Sequence, residues 1–461
     1  MSVVQELRER LGAGEVLTGE DEPQRNLNDW GGLGPTRPLA VVRPRTVAEV
    51  VTVMQVCHAH RQAVVPQGGL TGLCGGGRAG SDEIALSLER LSGIEDVDPA
   101  TATMLVRAGT PLQQVQEAAD SAGFFFPLDL GARGSCAIGG NLSTNAGGNR
   151  VIRYGMTRDM VLGIEAVLPD GTLVSALNRM IKNNAGYDLK QLFIGSEGTL
   201  GIITRAVLRL QPKPACTEVA FCGLASYADV LALLQGARRG LGPMLSVFEV
   251  MWSEYVDLVT SRSPDIRHPL AERYPFSVLV EMQGTDETLD HARFEGWLER
   301  MLEEGVIADA VVARSTADVR RLWAIRDATG MLRTWLGPDA GFDIGLPVAR
   351  MDEYVGVCRD ALRARFRDVV SLFYGHIGDG NMHITAHVPG VEQQPKAEVE
   401  RIVYDLVRDF GGTVSAEHGI GTAKRPWLGH ARGEAEMALM GTIKRAVDPQ
   451  NILNPGKVLG G

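Results

Sequence analysis

The sequence predicts a mixed helix-and-strand protein of α+β class, divided into more than one domain. Three observations carry this reading. The chain has 461 residues, more than one ordinary core accommodates. Between residues 38 and 212, short apolar strands alternate with helices, and several strands follow one another with no helix between. After Pro212-Lys213-Pro214 the pattern changes to long helices separated by strands.

In chain order, the start MSVVQELRERLGAGEV is amphipathic and lacks the apolar core of a signal peptide, so a cytoplasmic protein is expected. Pro38 to Pro44 reads as a strand, Thr46 to His60 as a helix capped by Thr46, and Gln62 to Pro66 as a strand running into glycines. Ile84 to Leu88, Thr103 to Ala108, Gly163 to Val167 and Leu200 to Leu208 also read as strands, and together they predict a mixed sheet. Beyond the prolines, Tyr227 to Arg239 and Asp286 to Glu304 predict helices; Phe276 to Met282 and Val306 to Val312 predict strands. A helix near Glu398 to Phe410 precedes a glycine-rich tail that closes on NILNPGK, Asn451 to Lys457. The expected parts are residues 1–212, a substrate or cap domain 213–405, and a C-terminal segment 406–461.

A hydrophobic share of 44% and a charged share of 22% suit a soluble globular protein. The net charge of -10 argues against nucleic acid, which needs a basic face, and leaves an anionic substrate dependent on a few local cations or a metal. No apolar run approaches the ~20 residues of a membrane span. Six scattered cysteines without a CxxC pair are expected to be reduced and to act as small apolar residues.

The 55 glycines are concentrated in clusters. One runs from Pro66 through Gly68, Gly69, Thr71 and Gly72 to Gly77. A second runs Pro127 to Gly131 and Ile138 to Gly148, and a third Tyr187 to Gly201. Bare backbone amides in such turns can cradle a phosphate without a full positive charge, which suits a pyrophosphate in an acidic protein. Tight turns between strands are the plainer explanation of any one cluster. Gly75-Gly76-Gly77-Arg78-Ala79-Gly80 has the letters of a dinucleotide fingerprint, but a strand follows it where a helix should open, so a Rossmann fold is rejected. Neither a GxxxxGK[ST] nor a GxSxG sequence is present.

PQGGLTGL, the stretch from PLDLG to GGNLSTNAGGNRVIRYG, and GYDLKQLFIGSEGTLGIITRAVL resemble the FAD-binding domain of the vanillyl-alcohol oxidase/p-cresol methylhydroxylase superfamily. The resemblance is nearest to its branch of D-lactate dehydrogenases, glycolate oxidase flavin subunits and D-2-hydroxyglutarate dehydrogenases, and it runs from about Pro38 to the C-terminus. It implies a two-subdomain FAD-binding domain of the p-cresol methylhydroxylase type, an α+β cap domain, and a C-terminal segment returning to the flavin. It further implies that Gly68, Gly69, Thr71 and Gly72 hold the FAD diphosphate. Gly139, Gly140, Thr144, Asn145 and Gly148 would line the flavin and ribityl chain. Glu197, Gly198, Gly201 and Ile202 would lie at the adenine end, and Asn454 would close the site. The first cluster contains no histidine, so non-covalent FAD is expected.

Gly375-His376-Ile377-Gly378-Asp379-Gly380-Asn381-Met382-His383 and Ser415-Ala416-Glu417-His418-Gly419-Ile420-Gly421 hold three of the nine histidines. Imidazoles with a carboxylate are a common site for zinc, manganese or iron(II), although surface-loop histidines are the alternative. His376 and His383 are seven apart, which on a continuous strand puts them on opposite faces. A turn at Gly378-Asp379-Gly380 must break the strand if both bind one ion. The resemblance assigns His376, His383 and Glu417 to a divalent metal, zinc first, His418 to the general base, Asn381 to substrate contact and Arg326 to the substrate carboxylate. Histidine's usual pKa near neutrality suits the removal of a hydroxyl proton as hydride leaves for flavin N5.

One departure bears on the substrate. D-2-hydroxyglutarate dehydrogenases of this type place a lysine and a threonine where Gly341 and Gly330 stand here, so a smaller or differently charged D-2-hydroxy acid is expected: lactate, malate or tartrate. The resemblance also implies a separate electron acceptor (an electron-transfer flavoprotein, a quinone or a cytochrome) and is compatible with a homodimer. Rival readings are a flavin oxidase using oxygen and a non-catalytic flavoprotein subunit.

Overall fold

A computed structural model describes residues 1–460. The chain forms two compact units, one of Met1–Gly148, Gly155–Lys213 and Glu417–Gly461, the other of Asn149–Tyr154 and Pro214–Ala416.

The first unit holds two main sheets. Strands β1 (Val16–Leu17), β2 (Ala40–Val42), β3 (Val64–Gln67) and β4 (Ile84–Ser87) lie in the order β1-β2-β4-β3, with β2, β4 and β3 parallel and β1 antiparallel. This is the mixed sheet that strands without intervening helices predict. The helix Val47–His60 begins at Thr46, whose hydroxyl accepts from the Glu49 amide while the Glu49 carboxylate accepts from the Thr46 amide. Its buried Val50, Val53, Met54 and Cys57 pack with Ile84, Leu86 and Leu453. The second sheet contains β5 (Ile94–Asp98), β6 (Thr103–Arg107), β8 (Val161–Val167), β9 (Leu173–Ala176) and β10 (Ile202–Arg209), all antiparallel in the order β5-β6-β10-β8-β9. A short pair joins β7 (Phe124–Phe125) to β11 (Gln211–Pro212). The Gly75–Gly80 stretch opens no helix; turns carry it into β4.

The second unit is one antiparallel sheet backed by helices. Its strands are β12 (Cys216–Leu224), β13 (Leu245–Trp252), β14 (Phe276–Gly284), β15 (Asp309–Val312), β16 (Ala340–Gly345), β17 (Val370–Gly375) and β18 (Asn381–His387). They lie in the order β15-β12-β14-β13-β17-β18-β16. Every residue of β13 and β14 is buried, as expected of central strands covered on both faces. On one face the helices Ser253–Arg262 and Thr316–Asp327 pack Tyr255, Val259, Leu322 and Ile325 against Val247, Met251, Leu372 and Tyr374. None of the six cysteines is in a disulfide, and five of them are buried. No helix among the described residues is long and apolar enough to cross a membrane.

Candidate functional site

In the second unit, the sheet gathers four of the residues singled out in the sequence. Gly375 at φ +146° and Gly380 at φ +91° bracket a 3-10 turn, Ile377–Asp379, that reverses β17 into β18. A β-carbon at Gly375 would come within 3.0 Å of the Asn381 carbonyl oxygen, so the hairpin requires glycine there. This is the break that a shared site demanded. Tyr374 stands opposite His383 in register, and the His376 and His383 rings lie 5.3 Å apart and nearly perpendicular. His383 carries a ring nitrogen within 4.8 Å of one on His376.

Arg326 lies in the last turn of the helix Thr316–Asp327, whose end is fixed by the Tyr255 hydroxyl donating to the carbonyls of Ile325 and Arg326. Considered alone, an arginine at this position is a solvated helix residue; here it is buried. Its Nε donates to Glu249 Oε2 at 2.5 Å, its guanidinium lies 5.6 Å from the Tyr374 ring centre, and its Nη2 is 3.3 Å from His376 Nε2. The other oxygen of Glu249 pairs with His376 Nδ1. Burial alone would raise the Glu249 carboxyl, but the neighbouring His376 and Arg326 outweigh it and hold the group at about 2. Burial works against the charge on Arg326, and Glu249 more than restores it, so its pKa is raised.

Asn381 is buried at the start of β18. Its Nδ2 donates to Asp343 Oδ1 at 2.8 Å and to the Ile344 carbonyl at 3.0 Å, while its Oδ1 has no partner. A buried acceptor left open in this way suits a ligand rather than the protein's own packing. Asp343 stands opposite His383 in register, and its second oxygen accepts from Ser415 Oγ and the Ala416 amide, each at 3.2 Å. Sequence reasoning missed both Glu249 and Asp343. The available signal was an acidic residue inside an apolar run, VFEVMW and GFDIGL, where a charge is costly unless partnered.

The first unit brings the glycine clusters together. The loop after β3 presses on the segment before the helix Ile138–Thr144: a β-carbon at Gly69 would lie 2.2 Å from the Ser135 carbonyl oxygen, and one at Gly68 would lie 3.5 Å from Gly140. Gly139 packs against Ala108, whereas Gly140 has no atom within 4 Å of its β-carbon position and Gly72 has only Asp29 Oδ2, at 4.0 Å. Thr71 is half-buried in the same loop, and Thr144 Oγ1 donates to the Gly140 carbonyl at 3.1 Å. Gly198 abuts Pro66, Gly201 abuts Phe193, and Ile202 opens β10.

Three non-glycine residues of the expected FAD set adopt left-handed backbone: Asn145 at φ +49°, Glu197 at φ +53° and Asn454 at φ +45°. Such conformations are uncommon and concentrate at ligand sites. Asn454 Nδ2 donates to the carbonyls of Glu197 and Gly76, at 2.7 and 3.2 Å, while its buried Oδ1 and that of Asn141 lack partners. Open backbone at Gly140 and Gly72, beside unpartnered buried amide oxygens, fits a bound cofactor. The Glu197 carboxylate accepts from the amides of Ile420 and Gly421, at 2.6 and 2.8 Å, and so anchors the segment that carries Glu417 and His418. Burial raises the Glu197 carboxyl above its usual value, with those amides and Lys424 opposing the rise in part. Glu417 Oε1 accepts from the Gly148 amide at 2.6 Å, which ties the second glycine cluster to the same segment; His418 beside it is half-buried.

Comparison with known proteins agrees with this arrangement. The profile described as "FAD linked oxidases, C-terminal domain" matches residues 213–458, and that described as "FAD binding domain" matches residues 38–176. p-Cresol methylhydroxylase superposes with a TM-score of 0.76 at 17% identity, covering 99% of this chain and 96% of that one, a likeness of fold alone. These matches define an FAD-linked oxidoreductase of the p-cresol methylhydroxylase fold. A Bos taurus D-2-hydroxyglutarate dehydrogenase, named as mitochondrial, is 38% identical over 451 residues, 98% of this chain and 82% of its own length. A D-2-hydroxyglutarate dehydrogenase of Xanthomonas citri pv. viticola is 37% identical over 435 residues, 93% of this chain and 91% of its own. The chain belongs to the FAD-linked D-2-hydroxyacid dehydrogenase family.

Proposed function

We propose that the protein oxidises a small D-2-hydroxy acid to its 2-oxo acid, using non-covalent FAD and a divalent metal ion, zinc first and manganese or iron(II) next. The observation that carries this reading is the convergence of Arg326, His376, His383 and the open Oδ1 of Asn381 on one part of the second unit's sheet, in a chain with these relatives. When bound, FAD supplies the hydride acceptor, and the divalent ion supplies a Lewis acid for the substrate oxygens. His376, His383 and Glu417 hold the ion. Arg326 binds the substrate carboxylate through its N–H groups, and Asn381 accepts from the substrate through Oδ1. His418 takes the hydroxyl proton as the hydride departs from the same carbon. Gly68, Gly69, Thr71 and Gly72 bind the diphosphate, and Gly139, Gly140, Thr144, Asn145 and Gly148 line the flavin. Glu197, Gly198, Gly201 and Ile202 flank the adenine end, and Asn454 closes the site. The cap domain and the C-terminal segment supply substrate and metal contacts.

The relatives' names point to D-2-hydroxyglutarate. A shorter acid is the second reading, because the glycines at 330 and 341 offer no side chain to meet a distal carboxylate. The reading includes a separate electron acceptor and a cytoplasmic location, which cell fractionation checks. The experiment is an anaerobic absorbance titration with the D- and L-forms of 2-hydroxyglutarate, malate, lactate and tartrate. Bleaching of the flavin band by a D-acid, abolished by a chelator, is expected. A band that none of the acids bleaches refutes the reaction and favours a non-catalytic subunit; equally fast reoxidation by oxygen and by other acceptors favours an oxidase.

A further inference from the structure

Glu249 lies on β13, a central strand of the second unit's sheet, with no solvent exposure. A carboxylate there must be fully engaged, and each oxygen has one partner among the residues given roles above: Oε1 pairs with His376 Nδ1, and Oε2 accepts from Arg326 Nε. The third side of the triangle is the 3.3 Å contact between Arg326 Nη2 and His376 Nε2. An ionised carboxylate accepts and has no proton to donate, so the imidazole proton that faces Glu249 sits on Nδ1.

We propose that Glu249 is a positioning residue that fixes His376 in the Nδ1–H tautomer, with the Nε2 lone pair presented to the site, and sets the angle of Arg326 at the same time. One anion thereby orders both the metal-binding imidazole and the carboxylate-binding guanidinium. A carboxylate on the far nitrogen is the usual means by which a ligating histidine is oriented. The single acid also couples the two groups, since a rotation of its carboxylate that frees one oxygen moves the other as well. This inference rests on the proposed roles of His376 and Arg326, but its first readout does not.

The experiment uses FAD-loaded, chelator-treated protein with nitrogen-15 in its histidines. Two-bond proton–nitrogen correlations report each neutral tautomer, with His376 assigned by its loss in His376→Gln. Wild type should show His376 as Nδ1–H. In Glu249→Gln the amide oxygen should stay with Arg326, turning the amide NH2 toward Nδ1 and switching His376 to Nε2–H. Affinity for Co2+, followed by its visible absorbance, should fall about 10- to 100-fold in that variant, the usual scale for losing such a partner. Glu249→Asp should retain the wild-type tautomer. A wild-type His376 protonated on Nε2 overturns the proposal, as does a folded Glu249→Gln protein with unchanged tautomer and Co2+ affinity. If Glu249→Gln does not fold, the wild-type and Glu249→Asp spectra decide. The tautomer is read without substrate or metal, so failure of the dehydrogenase reading would appear separately, in the titration with hydroxy acids.

Discussion

Gly139 and Gly140 are neighbours on the helix Ile138–Thr144, yet alanine should act on them in opposite ways. A β-carbon at Gly139 would sit 2.6 Å from the β-carbon of Ala108 and 3.0 Å from its carbonyl oxygen. Carbon atoms normally touch at about 3.5–4.0 Å, so roughly 1 Å must be relieved by backbone movement. Overpacking of this kind costs about 1–3 kcal/mol. Alanine's better helix propensity returns about 0.5–1 kcal/mol. Gly139→Ala should therefore destabilise the apoprotein by up to about 2.5 kcal/mol, a melting temperature lower by up to about 10 °C. At Gly140 nothing lies within 4 Å, so alanine should leave the apoprotein unchanged or slightly more stable. If the open space is where the flavin or ribityl chain lies, the added methyl meets the cofactor instead. The same overpacking then appears in binding, as an FAD half-saturation raised about 5- to 150-fold. Melting of the apoproteins and titration of FAD into them by fluorescence quenching give both numbers. A Gly140→Ala protein that binds FAD as wild type does would remove this helix from the cofactor site, whatever Gly139→Ala does.

Three further outcomes are expected. His418→Ala should retain FAD and metal yet slow anaerobic flavin reduction by about 10²-fold or more, the scale of a lost general base; reduction at the wild-type rate refutes that role. Glu417→Ala should lower metal content by elemental analysis, and unchanged content would remove Glu417 from the ligand set. Glu197→Gln tests the anchor on Ile420 and Gly421 through pH. The folded carboxyl is raised above the usual 4.5, so the native state binds the proton more tightly than the unfolded chain does. Its stabilising contribution is full below the unfolded value and is lost as pH rises through the folded value. Glutamine cannot titrate, so the melting-temperature difference should move in the variant's favour as pH rises above the usual carboxylate value of 4.5. A difference independent of pH would contradict the raised value.

Much of the scaffold was legible because its signals are local. Thr46 and Glu49 announce their helix start, β4 and β6 are bounded apolar runs, and the glycines at 378 and 380 imply the turn between His376 and His383. The strands β12 and β13 were not anticipated. Buried along all of β13 and from Val219 onward in β12, they give no sustained alternation, and CTEVAFCGL and LSVFEVMW could pass for buried helix as readily as strand. Val306 to Val312 was read too long at its start: only Asp309–Val312 pairs with β12, because Gly305 turns the chain at φ +71° after the preceding helix. Glu249 shows the limit of motif reading. Nothing near it in sequence resembles a site, since its partners lie 77 and 127 residues away and meet it only when the sheet forms.

The isolated bridge between Val64 and Leu453, with the Val64 amide donating to the Ile452 carbonyl and the Asn454 amide to the Val64 carbonyl, has a consequence for biosynthesis. β3 emerges from the ribosome early, but the residues that complete its outer edge come 389 positions later. At about 5–20 residues per second, that delay is roughly 20–80 s. Through that interval the nascent chain carries a parallel strand with an uncovered edge, beside glycine loops that lack Asn454. Until the tail is released, that edge is open to pairing with another chain, the hazard that an unpaired strand edge carries.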